Sequence, residues 1–125
     1  SFSQQTKEVL FVGNSYTYGN NLPDLVKQIT LSFGDTLIYD SSTPGGATFN
    51  LHTTNTQTIN KINQQAWDYV VLQAQSQEPS FSPSQVANDT YPYAQQLVNL
   101  IAANEALVVL TISLKGIIGS PPFFC

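Results

Sequence analysis

Short apolar runs alternate along the chain with stretches of helical spacing. Glu8-Val9-Leu10-Phe11-Val12-Gly13 is almost continuously apolar and ends in glycine, the pattern of a strand buried on both faces. Leu22, Leu25, Val26, Ile29 and Phe33 then recur at intervals of three and four. With Pro23 in the first turn and Gly34 just past the end, they predict an amphipathic helix. Thr36-Leu37-Ile38-Tyr39 predicts a second strand, broken over 41–46. The polar stretch 48–65 predicts partial helix, with Ile59, Ile62 and Ala66 as its apolar side. Trp67-Asp68-Tyr69-Val70-Val71-Leu72-Gln73 predicts a third strand, rich in β-branched and aromatic residues. After a Pro/Ser-rich loop, Ser82 and Pro83 make an N-cap and first-turn pair. Val86, Tyr93, Leu97, Leu100 and Ile101 form a helix face that Pro92 should kink or divide. Ala106-Leu107-Val108-Val109-Leu110-Thr111 predicts the fourth strand.

Strand and helix in alternation predict right-handed βαβ units and a parallel sheet covered on both faces. The fold class expected is therefore α/β, a three-layer α/β/α sandwich forming one domain over residues 1–125. The pattern breaks over 112–125, where Ile117, Ile118, Phe123 and Phe124 stand among glycines and prolines and no helical stripe follows. A sheet of this class normally has a further unit over its edge. The expectation is an incomplete domain whose sheet edge and apolar tail pair two copies into a homodimer.

Composition narrows the function. The chain has four lysines, no arginine and a net charge of −4, which excludes a phosphate-backbone binder and so nucleic acid as a partner. No stretch approaches 18 consecutive apolar residues, so no membrane span is expected. One cysteine, Cys125, and one histidine leave no disulfide framework and no Cys/His zinc site. Only 10% of the residues are charged, so surface polarity falls to 10 Asn and 12 Gln together with Ser and Thr. Such a surface suits an exported protein, and since Ser1 to Thr6 read as a polar tail, the expectation is that any signal peptide has already been removed or was never there.

In an open parallel sheet, ligands bind beyond the carboxyl ends of the strands. That rule selects three loops: 13–21, 42–49 and 73–79. Ser15 lies at the tip of the first strand, beside a helix start that favours developing negative charge. Gly45-Gly46 lets backbone approach a ligand closely. Gln73, Gln75 and Gln77 alternate after the third strand and can aim amide donors into the same crevice. A hydroxyl nucleophile among neutral donors is the outline of an oxyanion site for acyl transfer.

These residues resemble a known family. Val9-Leu10-Phe11-Val12-Gly13-Asn14-Ser15-Tyr16-Thr17 is similar to the first block of the SGNH (GDSL-like) ester hydrolases, in the variant with Gly-Asn-Ser for Gly-Asp-Ser. Pro44-Gly45-Gly46-Ala47-Thr48 resembles their second block. Trp67-Asp68-Tyr69-Val70-Val71-Leu72-Gln73-Ala74-Gln75-Ser76 resembles the third, with Gln75 where most members carry asparagine. The resemblance implies a flavodoxin-like SGNH fold and a lipase- or acylhydrolase-type carboxylester hydrolase. It makes Ser15 the nucleophile, with the Ser15 and Gly46 N–H groups and the Gln75 side chain as the oxyanion hole. Asn14, Tyr16 and His52 are then expected to line the cleft. The implied substrate is a small ester, either short acyl or an acylated carbohydrate or lipid, and no metal or organic cofactor is implied. The family's general base comes from a late Asp-x-x-His block that occurs nowhere in this chain. Since base assistance contributes about 10²–10⁴-fold, impaired turnover is expected.

Two other readings compete. Ser15-Tyr16-Thr17-Tyr18-Gly19-Asn20-Asn21 is also similar to the hydroxyl-rich phosphate loop of flavodoxins, which would imply FMN and a yellow protein. The third reading is a folded but catalytically inactive fragment.

Overall fold

The computed structural model describes residues 4–19, 21–74 and 82–111. Its elements follow the order β1 (Thr6–Val12), α1 (Ser15–Gly19), α2 (Leu22–Ser32), β2 (Thr36–Ser42), α3 (Phe49–Thr54), α4 (Thr56–Gln64), β3 (Tyr69–Gln73), α5 (Pro83–Asp89), α6 (Tyr91–Ala103) and β4 (Leu107–Thr111). The four strands are all parallel, in the order β2-β1-β3-β4. β1 is central, paired in register from Thr6–Thr36 to Val12–Ser42 on one side and from Val9–Tyr69 to Val12–Leu72 on the other. The chain leaves β1 toward β2 and then returns past β1 to form β3. The point where the order reverses therefore lies between β1 and β3, which is where sheets of this kind open a crevice.

Side chains alternate across β1 and split the core in two. Val9 and Phe11 face one side, joined by Leu37 and by Val26 of α2. Leu10 and Val12 face the other, packed with Phe49, Ile62, Leu97 and Ile101 from α3, α4 and α6. Helices on both faces of a parallel sheet make this a three-layer α/β/α fold, as the alternating pattern predicts.

Three details differ from the sequence pattern. α2 forms where the stripe predicts it, and Gly34 closes it with φ +88°, the left-handed position that glycine fills without strain. Its stripe nevertheless stays largely in solvent: Leu25 and Ile29 are 51% exposed and Phe33 is 80% exposed. Periodicity tells which side chains share a face; it does not tell how much sheet lies beneath that face. Ala66 is likewise exposed, because α4 ends at Gln64. The helical face of 86–101 is divided at Pro92, as expected: α5 ends at Asp89, and Pro92 falls in the first turn of α6, where its missing N–H leaves no bond unmade. β2 runs on to Ser42, into the break expected over 41–46, because each of its residues pairs with β1. Residues 112–125, on which the expected apolar tail rests, lie outside the described residues. Among the described residues, no helix is long and apolar enough to cross a membrane.

Candidate functional site

The three loops singled out above follow β1, β2 and β3, whose carboxyl ends lie side by side. The first begins at Gly13, whose N–H continues the ladder by donating to the Ser42 carbonyl at 3.0 Å. A Cβ at position 13 would overlap the Thr17 hydroxyl and lie 2.9 Å from the Gln73 Oε1 and 3.2 Å from its Cβ. Only glycine fits. Thr17 is buried, and its hydroxyl donates to the Gln73 side-chain carbonyl, tying the first loop to the end of β3.

Asn14 is the hub. It is 1% exposed, and its Nδ2 donates to the Ala47 carbonyl of the second loop at 3.3 Å and to the Ala74 carbonyl of the third at 3.2 Å. Its own carbonyl accepts from the Thr17 and Tyr18 N–H groups at 3.0 and 3.3 Å, closing the single turn of α1. One buried amide thus joins all three loops beside Ser15, the first residue of α1, which is half-buried.

The second loop turns at 44–47, where the Ala47 N–H donates to the Pro44 carbonyl at 3.2 Å. Gly46 takes φ +70° at the third turn position, where a type II turn requires glycine. Gly45 and Gly46 are exposed, and the Tyr18 hydroxyl lies 3.8 Å from where a Cβ on Gly45 would stand. Ala47 and Phe49 then enter the core, and the Thr48 hydroxyl caps α3 by accepting from the Leu51 N–H at 3.1 Å.

His52 stands behind the first loop rather than in an open cleft. It is fully buried, with Nε2 2.8 Å from the Gly13 carbonyl and Nδ1 2.8 Å from the Thr58 hydroxyl. Thr58 Oγ1 is in turn 2.7 Å from Ser42 Oγ. A carbonyl can only accept, so Nε2 carries the hydrogen. In the neutral ring Nδ1 then accepts from Thr58, and Ser42 donates to Thr58. Burial pushes the His52 pKa below its ordinary value, against a smaller opposite pull from the Gly13 carbonyl.

The sign of the resulting pH dependence follows. Below about pH 6.5 the unfolded chain takes up a proton at His52 that the folded chain still refuses. Stability contributed by the neutral ring is complete above that pH and is lost progressively as pH falls toward the lowered folded value. Denaturant midpoints measured between about pH 8 and pH 5 should therefore drop on the acid side, and His52→Gln should remove that part of the slope. An identical slope in the variant would refute this assignment.

Of the residues expected at the site, Ser15, Asn14 and Gly46 are brought onto neighbouring loops joined through Asn14. The side chain of Tyr16 and all of Gln75 lie outside the described residues. Thr58 and Ser42 were not singled out from sequence, nor was the pairing of Thr17 with Gln73. Their hydroxyls lie far apart in the chain, and only the Asn55-x-x-Thr58 spacing of a helix cap signals any of them.

Fold and loop arrangement together define an α/β protein with a candidate crevice at the carboxyl edge of a parallel sheet. Compared with known proteins, the sequence matches no family model and no curated protein. Among solved structures, it is similar to a DUF4886 family protein from Bacteroides uniformis, with 20% identity and a TM-score of 0.62. That similarity covers 86% of this chain and 49% of the other, so the chain spans about half the length of its structural neighbour. At this identity the likeness shows the fold alone.

Proposed function

We propose that the chain carries the nucleophile and oxyanion site of a serine-dependent carboxylester hydrolase similar to the SGNH family. The observation that supports this reading is the Asn14 amide, which ties the start of the Ser15 loop to Ala47, beside Gly46, and to Ala74, just past β3. Ser15 Oγ attacks the ester carbonyl, the alkoxy group leaves with a proton, and the acyl group stays on Oγ until water removes it. The Ser15 and Gly46 N–H groups and the Gln75 amide receive the oxyanion. Neutral, hydroxyl- and amide-lined loops suit an uncharged ester, whether a short acyl ester or an acylated sugar or lipid.

His52 does not serve as the base in this reading. Both its ring nitrogens are engaged, one of them by a backbone carbonyl. Acylation and deacylation by these 125 residues are therefore slow, and the acyl-enzyme accumulates. The flavodoxin-like reading is less well supported, because the Thr17 hydroxyl that would meet a phosphate is buried against Gln73.

The test is p-nitrophenyl acetate. The acetyl carbon–oxygen bond to nitrophenolate breaks, a bond to Ser15 Oγ forms, and the serine proton passes to solvent. A stoichiometric acetyl adduct on Ser15, found by mass and peptide mapping and absent in Ser15→Ala, is the expected result. Acetylation spread over lysines and equal in Ser15→Ala would overturn the reading.

A further inference from the structure

Gly13 presents a physical problem immediately before the proposed nucleophile. The Thr17 hydroxyl and Gln73 leave no room for a side chain there, so the position must be glycine. Glycine is also the residue with the widest backbone freedom. Unrestrained, it would let the Asn14-Ser15 segment swing, and misplacement by about 1 Å can cost on the order of 100-fold in rate.

Both peptide groups of Gly13 are clamped from outside the loop. Its N–H is held by the Ser42 carbonyl at 3.0 Å and its carbonyl by His52 Nε2 at 2.8 Å. The histidine is itself held at Nδ1 by Thr58, whose hydroxyl meets Ser42 Oγ. The circuit therefore closes: Ser42 supports Gly13 directly through its carbonyl and indirectly through Thr58 and His52. Every side chain in it, Ser42, Thr58 and His52, is 1% exposed or less. The Thr58 N–H donates to Asn55 Oδ1 at 2.9 Å, which anchors the circuit to the start of α4.

We propose that His52, as its neutral Nε2–H tautomer, is a positioning residue that fixes the Gly13 carbonyl and thereby sets the geometry of Ser15. The inference rests on the reading of Ser15 as nucleophile. His52 touches no substrate and moves no proton. The donor that matters sits at Nε2, and the chemistry of substitution follows from its reach. Glutamine places an amide nitrogen near the Nε2 position, whereas asparagine is one methylene shorter and stops near Nδ1.

The experiment compares Ser15 acetylation rates by p-nitrophenyl acetate in wild type, His52→Gln, His52→Asn and His52→Leu, each well below its own melting temperature. Nitrogen-15 NMR of the wild-type imidazole reads the tautomer independently of any variant. We expect Gln to stay within about threefold of wild type, and Asn and Leu to fall on the order of 10–100-fold while still folded. The wild-type spectrum should show Nε2 protonated and Nδ1 bare. Folded Asn and Leu variants that react at the wild-type rate would overturn the role, as would a Gln variant that falls with Asn or an Nδ1–H tautomer. A wild type acetylated nowhere at Ser15 would instead remove the nucleophile, and this role with it. If Asn and Leu fail to fold, the Gln rate and the tautomer still decide.

Discussion

Asn14→Asp is expected to destabilise the protein by about 2–5 kcal/mol at neutral pH, although it would convert Gly-Asn-Ser to the commoner Gly-Asp-Ser. The reason is local. The Asn14 Nδ2 donates to two carbonyls, at 3.3 and 3.2 Å, inside a site only 1% exposed. An ionised carboxylate has no hydrogen to offer and would set a negative oxygen against the Ala47 and Ala74 oxygens. Two carbonyls would lose their donor, and a charge would be taken out of water. Such a carboxyl resists ionisation, so its pKa rises. The sign then opposes that of His52: the deficit is full above the raised pKa and shrinks as pH falls and the protonated carboxyl regains one donor. Urea unfolding of both proteins at neutral and mildly acidic pH checks this. Equal midpoints at neutral pH would show that Asn14 does not bridge the loops. Asn14→Ala serves as a second measure, because it removes the donor without adding charge and should cost less.

The layout of the fold was legible because its signals are local. The run from Val9 to Val12 needs no partner to be read as a buried strand, and Ser82 and Pro83 announce α5 within two residues. The helical face of 86–101 is also a matter of spacing. The site was legible only in outline. Gly13, Ser15 and Gly46 stand where strand ends and turns must fall, so position alone marks them. What joins them is long-range: Asn14 meets residues 33 and 60 positions away, and His52 reaches a carbonyl 39 positions back. A lone histidine after a glycine-rich loop carries no mark of burial, and its expected place on the cleft wall reflects where the loop goes rather than which way the ring turns. The exposure of Leu25, Ile29 and Phe33 shows the same gap from the other side, since an apolar stripe records a preference and burial depends on the neighbour. The low charge content, by contrast, has a structural counterpart. Among the described residues, the buried polar side chains around the site are one amide, three hydroxyls and one imidazole, bonded to one another, to Gln73 and to backbone carbonyls.

Phe49→Ala is expected to cost about 3–5 kcal/mol, a large share of the roughly 5–15 kcal/mol that holds a domain together. Phe49 is 2% exposed and lies in the cluster with Leu10, Val12, Ile62, Leu97 and Ile101, so truncation leaves a cavity between the sheet and α3. Its position gives the loss a second consequence. The glycine pair at 45–46 is exposed, and the second loop is held at its far end by Ala47, the Thr48 cap and Phe49. Without the ring, the start of α3 loses its hold on the core. The Ala47 carbonyl that Asn14 reads, and His52 one turn further on, then shift together. Ile101→Ala is the packing control: it is also fully buried, opens a smaller cavity in the same cluster, and sits near the end of α6 rather than at the start of α3. Phe33→Ala, at 80% exposure, should change stability by no more than about 0.5 kcal/mol. Thermal unfolding orders the three, and Ser15 acetylation at a temperature where all are folded separates packing from positioning. Phe49→Ala should lose reactivity that Ile101→Ala keeps. Equal reactivity in the two would mean that the second loop holds its shape without its aromatic anchor, and that Asn14 and the Pro44–Ala47 hydrogen bond suffice.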